Sequence, residues 1–177
     1  NYEEVWSRIP FLTYYVNTIK LSVIVTVGQI ITCSLAAYSF SKLHYPGRDK
    51  IFLCYLATMM VPWHAIMIPQ FIIVKSMGLY DSHWSLIVIN LFSAFGVFLL
   101  RQFMLGIPEE LSEAARIDGL SEVGIFFRMF IPTMKSTYAA AIIITFMGAW
   151  NNYLWPKVIL QNKDAITMPM LVANLLG

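Results

Sequence analysis

The sequence has few charged residues. They make up 12% of the 177 residues, whereas a soluble domain usually carries about 25%. Hydrophobic residues make up 58%, and the charges cluster between long apolar stretches. The formal net charge is only +2, and no basic run is long enough to follow a nucleic-acid backbone. These deficits argue against a soluble domain and against a nucleic-acid partner, and they favour a chain that lies in membrane lipid.

Cysteine and catalytic motifs are also scarce. Cys33 and Cys54 both lie in apolar stretches, where a thiol most often serves as a small buried hydrophobic group, so we expect no disulfide. The chain has no glycine-rich loop ending in Gly-Lys-Ser or Gly-Lys-Thr, no Cys/His metal spacing and no paired carboxylates within an apolar stretch. We therefore predict no catalytic residue, no metal site and no cofactor bound by this chain.

Four apolar windows are long enough to cross a bilayer, whose core of about 30 Å needs roughly 20 helical residues. They cover about 16–40, 51–74, 84–105 and 138–160. The sequence therefore predicts an all-α membrane protein, a polytopic transmembrane helix bundle that forms one domain over residues 1–177. Prolines inside the second and fourth windows are tolerated where neighbouring helices satisfy the freed carbonyl groups, so these two helices should pack against protein.

Charge asymmetry predicts the orientation of these windows. The loop 41–50 carries three basic residues and the segment 101–135 carries four, whereas the loop between the second and third windows has only Lys75, with Asp81 nearby. Loops rich in Lys and Arg stay in the cytoplasm. We therefore expect residues of about 106–135 to be cytoplasmic and the N-terminus of the chain to lie outside. Because the chain opens without a signal peptide, we also expect a further span before Asn1 in the full protein.

The cytoplasmic segment contains a candidate docking helix. Pro108 suits a first helical turn and Gly119 a left-handed stop, and a second helix is expected from near Ser121 to a boundary at Pro132. Two adjacent alanines let another protein approach the backbone closely, and charged residues beside them can fix its orientation. The alternative is a loop helix that only covers its own membrane domain.

The spacing of this segment resembles the EAA loop of ABC importer permeases. Glu113-Ala114-Ala115 is followed after three residues by Gly119 and after twelve more by Pro132, while Met129 and Ile131 stand where that family usually has Ile and Leu. In that family the loop forms the coupling helix that fits a cleft on the ATP-hydrolysing subunit. The resemblance thus implies that the loop contacts this partner. The candidate docking residues are Glu113, Ala114, Ala115, Arg116, Asp118 and Gly119.

Other stretches resemble the carbohydrate-uptake branch of this family, of maltose-permease type. These stretches are 98–103, 150–156 and 167–169, and the resemblance covers most of 17–169. It implies an ABC importer permease in the bacterial or archaeal plasma membrane, partnered by a cytoplasmic ATPase dimer that binds ATP and Mg²⁺, a second and homologous permease subunit, and an extracytoplasmic sugar-binding protein. Family permeases commonly have six spans, so this chain looks similar to the second to fifth, with the first and last missing.

Polar and aromatic residues within the windows are candidates for lining a solute path. Polar groups in a bilayer usually face a bundle interior or cavity, and aromatic faces beside amides suit sugars. The candidates are His64, Trp150, Asn151, Asn152 and Tyr153. The alternative for His64 is a hydrogen bond to a neighbouring helix. The alternative for the aromatic residues is a role as interfacial anchors, which we expect for Trp155. Lys20 can reach the interface with its ammonium group, and we assign it no further function.

Three other functions stay open at this stage. An ABC permease for peptides, phosphate or amino acids is opposed only by the stretches near Trp150 and Thr167. A secondary transporter would usually need ionisable groups at the midplane and internal repeats, and no carboxylate lies deep in a window. A membrane scaffold would use the same loop to hold a soluble partner without transporting anything.

Overall fold

The computed structural model describes residues 10–176, and every regular element in this range is helical. The all-α prediction is confirmed. The helices are α1 Phe11–Lys42, α2 Arg48–Ala57, α3 Trp63–Ser76, α4 His83–Asn90, α5 Ala94–Leu105, α6 Glu109–Ile117, α7 Glu122–Ile125, α8 Ile131–Thr133, α9 Lys135–Trp150, α10 Leu154–Ile159 and α11 Met168–Leu176. A π-helical turn, Phe126–Phe130, joins α7 to α8, and 3₁₀ turns cover Thr58–Met60 and Lys163–Ala165.

Two helical stretches of the described chain are long and apolar enough to cross a membrane, Phe11–Lys42 and His83–Leu105. The number rises to four if two interrupted pairs each count as one span, namely Arg48–Met60 with Trp63–Ser76 and Glu122–Thr133 with Lys135–Ile159. The first interruption lies within the predicted window 51–74, and the second lies at Met134, before the predicted window 138–160. In the first of these windows Val61 is extended, with φ −83° and ψ 117°, because the ring of Pro62 disfavours helical backbone in the residue before it.

The chain forms two compact units, each with its own buried core. The described residues of the first unit are 10–27, 63–91 and 145–176, and those of the second are 28–62 and 92–144. In the first unit the buried core consists of Leu21, Val25, Val74, Leu86, Ile87, Trp155, Ile159, Leu160 and Met170. In the second it consists of Cys33, Ala37, Tyr38, Phe52, Val97, Leu100, Met104, Ala115, Ile125, Phe126, Phe130, Met134, Tyr138 and Ala141.

Polar side chains of the first unit hold the segment between α10 and α11. Asn17 donates to the carbonyl oxygens of Asp164 and Ile166 at 2.7 and 3.2 Å, and Thr18 accepts a hydrogen bond from the Met168 backbone N–H at 2.8 Å. One Asp81 carboxylate oxygen accepts from the backbone N–H groups of Gln161 at 2.7 Å and Asn162 at 2.8 Å. These bonds satisfy backbone groups that no helix satisfies, and so they order the segment.

Acidification is expected to release the Asp81 contacts. The backbone donors of Asn162 and Gln161 hold the pKa of the Asp81 carboxyl below its ordinary value. A carboxyl whose pKa is lower in the folded state stabilises the fold above the ordinary pKa of about 3.9, and this contribution is lost as the pH falls through the lowered value. At pH 7 hydrogen exchange at Gln161 and Asn162 should be several-fold slower in the wild type than in an Asp81→Asn variant.

At pH 3 this difference should narrow as Asp81 is protonated. Asp164→Asn, the same change at an exposed position of the same segment, is the matched control and should leave exchange at both amides unchanged. Equal exchange in wild type and Asp81→Asn at pH 7 would show that the carboxylate does not hold this segment.

In the second unit, α1 and α5 approach each other closely at Gly96. A Cβ atom on Gly96 would lie 2.8 Å from the Sγ atom of Cys33, which is buried. The expectation that both cysteines are buried is wrong for Cys54, whose side chain is exposed in α2; apolar neighbours in sequence do not specify which face of a helix is covered. Neither cysteine forms a disulfide.

We expect Gly96→Ala to destabilise the fold by about 1–3 kcal/mol, because the added methyl group overpacks the contact with Cys33. The double variant with Cys33→Ala lacks the clashing sulfur atom and should regain most of the lost stability. Gly148→Ala is the control, since its Cβ would meet nothing within 4 Å. Thermal unfolding in detergent measures all four proteins; a Gly96→Ala variant as stable as the wild type would disprove the close approach.

The predicted boundary at Pro132 is wrong by two residues. Ile131 is helical, with φ −58° and ψ −49°, and the helix continues through Pro132 to Thr133. The break lies at Met134, with φ −101° and ψ 23°. The wide π-helical turn Phe126–Phe130 immediately precedes Ile131, and its altered hydrogen-bond register accommodates a residue that has no backbone N–H.

Candidate docking helix and candidate solute cleft

Helix α6 forms the centre of the predicted docking segment and is bounded as its sequence predicts. Pro108, with φ −55° and ψ 142°, immediately precedes the helix, and Glu109 and Glu110 occupy the first turn, where the helix dipole favours negative charge. Gly119 has a φ of 83°, the left-handed conformation that glycine adopts without strain. The segment is thus a short helix with fixed ends.

The two adjacent alanines of α6 lie on different faces. Ala115 is only 4% exposed and belongs to the core of the second unit, and Ser112 one turn before it is buried as well, whereas Ala114 is exposed. Consecutive helical residues are separated by about 100° around the axis, so only one of the two can face outward. The Ala115 side chain therefore packs on its own unit, and the contact of this position with a partner stays a prediction.

The outward face of α6 is apolar and acidic. Ile117 is 86% exposed and Leu111 46%, and Glu113, Ala114 and Asp118 are exposed as well. Leu111 and Ile117 are not among the predicted docking residues. Their signal was their spacing from Ala114, three residues on either side of it, which places all three on one helix face.

Arg116 and Glu122 form an ion pair within the second unit. The Arg116 Nε atom donates to Glu122 Oε1 at 2.7 Å, and the Tyr38 hydroxyl donates to Glu122 Oε2 at 2.7 Å. The bonds from Arg116 and then Tyr38 lower the pKa of Glu122, and the bond to Glu122 raises that of Arg116. Arg116 therefore already has a partner inside the chain, and Tyr38 and Glu122, which the sequence analysis did not identify, belong to the site.

Lys42 supports the other end of α6. Its Nζ atom donates to the Ile107 carbonyl oxygen at 2.6 Å and lies 5.6 Å from the centroid of the Phe130 ring. Its residue exposure is 5%, and it is the last residue of α1. In the sequence it counted only as one of the basic residues that orient the loop.

A cleft in the first unit contains two of the predicted path residues. Asn152 and Trp150 line one cavity, together with Thr18, Leu21, Val25, Leu86, Asn90, Ala149, Pro156 and Thr167. An adjoining cavity is lined by Trp63, Ile89, Asn90, Asn152 and Trp155. Asn90 and Asn152 border both cavities. We call the two adjoining cavities together the Asn90–Asn152 cleft.

The other predicted path residues do not line this cleft. Asn151 is exposed, and its side-chain amide donates to the Met147 carbonyl oxygen at 2.9 Å. Tyr153 accepts a hydrogen bond from Lys157, and His64 is exposed with its ring edge-on to Trp63 at 5.4 Å between centroids. In the described chain no hydrogen bond to a neighbouring helix is found for His64.

Trp155 differs from the expectation that it is an interfacial anchor. It is 2% exposed, belongs to the buried core and packs edge-on against Trp63 at 6.0 Å between ring centroids. The helix stops after Trp150 and restarts at Leu154, which turns Trp155 inward. Asn90, Trp63 and Trp155 line the cleft but were not predicted as path residues. An amide such as Asn90 inside an apolar window was a signal that could have identified the first of them.

The cleft offers hydrogen-bonding groups beside aromatic surfaces. The Trp155 indole N–H is buried and has no partner among the described residues. The Asn90 amide nitrogen donates to the Leu86 carbonyl oxygen at 2.7 Å, and its side-chain oxygen can serve as an acceptor. None of the cleft residues is charged. This arrangement suits an uncharged polyhydroxylated solute better than an ion.

Comparison with known proteins identifies the family. Residues 29–176 match the model of the binding-protein-dependent transport system inner membrane component. The lactose transport system permease protein of Rhizobium radiobacter is 40% identical over 159 residues, 90% of this chain and 58% of that protein. The arabinooligosaccharides transport system permease protein of Bacillus subtilis is 36% identical over 167 residues, 94% of this chain and 59% of that protein.

A third relative and a solved structure agree with this match. The sn-glycerol-3-phosphate transport system permease protein of Pectobacterium atrosepticum is 34% identical over 170 residues, 93% of this chain and 60% of that protein. A bacterial ABC transporter involved in the import of the acidic polysaccharide alginate superposes with a TM-score of 0.85 at 31% identity, covering 92% of this chain and 57% of that one. The chain thus spans somewhat more than half the length of these proteins, and it belongs to the family of binding-protein-dependent transport system inner membrane components.

Proposed function

We propose that this chain is part of the transmembrane permease subunit of an ATP-driven sugar importer. The observation that carries the proposal is the family match over 29–176, which includes the exposed face of α6 and both Asn90 and Asn152 of the cleft. The relatives are named for lactose, arabinooligosaccharides and sn-glycerol-3-phosphate. The uncharged lining of the cleft favours a neutral sugar over a phosphorylated one.

In this proposal α6 docks on a cytoplasmic ATPase subunit. Leu111, Ala114 and Ile117 supply the apolar contact, and Glu113 and Asp118 fix its orientation. ATP and Mg²⁺ bind to the ATPase dimer, while this chain binds no cofactor and performs no chemistry. Gly119 is needed for the turn that ends α6.

The remaining parts of the assembly follow from the same proposal. A second, homologous permease subunit completes the translocation path, and an extracytoplasmic sugar-binding protein delivers the cargo. The chain lies in the plasma membrane with α6 on the cytoplasmic side and Phe11 of α1 towards the outside, as the excess of Lys and Arg in the loops around α6 favours. Closure of the ATPase on ATP then moves α6 and switches the path between outward-facing and inward-facing states.

Reconstitution tests the proposal. The full-length protein, its companion permease and the ATPase are placed in vesicles with the binding protein, and sugar uptake and ATP hydrolysis are measured together. We expect uptake that requires ATP, and we expect Glu113→Lys and Gly119→Pro to abolish it while membrane insertion is retained. Uptake driven by an ion gradient without ATP would identify a secondary transporter, and absence of any sugar-stimulated hydrolysis would favour a scaffold.

A further inference from the structure

Two residues near the C-terminal end of α1 bond to groups that flank the candidate docking helix, Lys42 to Ile107 before it and Tyr38 to Glu122 after it. We propose that Tyr38 and Lys42 are positioning residues that latch α6 to α1, so that a displacement of α6 is passed directly to the first transmembrane helix of this chain. The inference rests on the proposed function, because it needs a partner that moves α6. We call Tyr38, Lys42, Arg116 and Glu122 the latch.

The first contact holds the start of α6. The Ile107 carbonyl that accepts the Lys42 hydrogen bond lies one residue before Pro108, which immediately precedes the helix. Pro108 has no backbone N–H, so it cannot donate a hydrogen bond that would hold the chain before α6. A buried ammonium is costly unless it is paired, and here it has the carbonyl at 2.6 Å and the Phe130 ring. The bond therefore ties the residue before Pro108 to the end of α1, and so restrains the start of α6.

The second contact holds the end of α6. The Glu122 carboxylate binds Arg116 in the last turn of α6 with one oxygen and the Tyr38 hydroxyl with the other, both at 2.7 Å. Tyr38 is 6% exposed and packs edge-on against Phe126 and Phe130. Hydrogen bonds to an ionised group are shorter and stronger than neutral ones, so this bridge resists separation of the two helices.

The two contacts act together because of their spacing. Tyr38 and Lys42 are four residues apart on α1 and so lie on one face, one turn from each other. Between them, Ser112 and Ala115 of α6 are buried in the same unit. α1 is a single helix of 32 residues, Phe11–Lys42. A helix whose two flanks are bonded to one neighbouring helix resists rotation and sliding relative to it, so α6 and the end of α1 should move as one body.

Coupling efficiency tests the latch. In the reconstituted full importer we measure sugar molecules transported per ATP hydrolysed for Tyr38→Phe, Lys42→Met and the double variant. We expect each single change to lower this ratio about threefold and the double change about tenfold, with hydrolysis itself retained. The matched controls are Tyr55→Phe in the same unit and Lys20→Met at an exposed position of α1, and both should keep the wild-type ratio.

The ratio separates positioning from stability, because a variant that only folds less well gives fewer transporters with an unchanged ratio. Lys42→Arg keeps a cationic donor and should restore most of the coupling that Lys42→Met loses. A wild-type ratio in the assembled double variant would overturn the latch. If the double variant does not assemble, Tyr38→Phe alone decides, and an unchanged ratio overturns the latch. A wild type that shows no ATP-driven uptake would instead contradict the proposed function.

Discussion

Ala114→Phe is expected to weaken ATPase docking and sugar uptake strongly without destabilising the permease, whereas Ala115→Phe is expected to destabilise its fold. Ala114 is exposed on the face that carries Ile117, so a bulky ring there prevents close approach of a partner. A loss at the centre of an interface costs at least about 2 kcal/mol, which lowers affinity roughly 30-fold. Ala115 is 4% exposed within a packed core.

Two measurements distinguish these neighbouring positions. For Ala114→Phe, the midpoint of thermal unfolding should stay near that of the wild type, because exposed substitutions usually change stability by less than about 0.5 kcal/mol, while co-purification of the ATPase is lost. For Ala115→Phe, overpacking should reduce stability by about 1–3 kcal/mol or more. The same loss of stability for both variants would contradict the assignment of the two faces.

Leucine at position 152 is expected to reduce sugar uptake at least tenfold, whereas leucine at position 151 should change it less than about twofold. Asn152 lines both cavities of the Asn90–Asn152 cleft, and replacing its amide removes a hydrogen-bonding group and leaves a sugar hydroxyl unpaired. Such a loss costs about 1–3 kcal/mol, and 1.4 kcal/mol corresponds to a factor of ten. Asn151 is the matched control, since it is exposed and bonded to its own helix.

Initial rates of uptake, measured at several sugar concentrations, compare the Asn152→Leu and Asn151→Leu variants. For Asn152→Leu we expect uptake efficiency to fall. ATP hydrolysis in the absence of sugar should be retained, because the cleft and α6 belong to different units of the chain. The reverse order, with Asn151→Leu the more damaging change, would mean that the solute contacts the exposed side of this turn instead.

The sequence predicted the features that depend on composition and on local backbone chemistry. Length and apolarity of the windows predicted the helices, and two of the four windows lie within candidate spans that do not depend on joining a bent pair of helices. Gly119 was expected to be left-handed because it follows the last periodic residue of a short helix, and its φ of 83° agrees. Such features are decided within a few residues, so they can be predicted without knowledge of tertiary contacts.

Features that depend on distant contacts could not be predicted. Tyr38 and Glu122 are 84 residues apart, and no local pattern indicates that they meet. The opposite exposure of Ala114 and Ala115 depends on which face of α6 the second unit covers, and identical neighbouring residues cannot specify that. Trp155 was expected at an interface because aromatic residues are common there, but the interruption after Trp150 redirects it into a core.

Cross-linking from Ile117 tests the central claim, the docking of α6, most directly. In a full-length importer whose Cys33 and Cys54 are replaced by alanine, a photoactivatable group is attached to Ile117→Cys, the most exposed apolar residue of α6 at 86%. The same group on Gln102→Cys, an exposed residue of α5, is the control. We predict a covalent product with the ATPase subunit from position 117 and not from position 102. Assembled importers that give no ATPase product from position 117 would contradict the account.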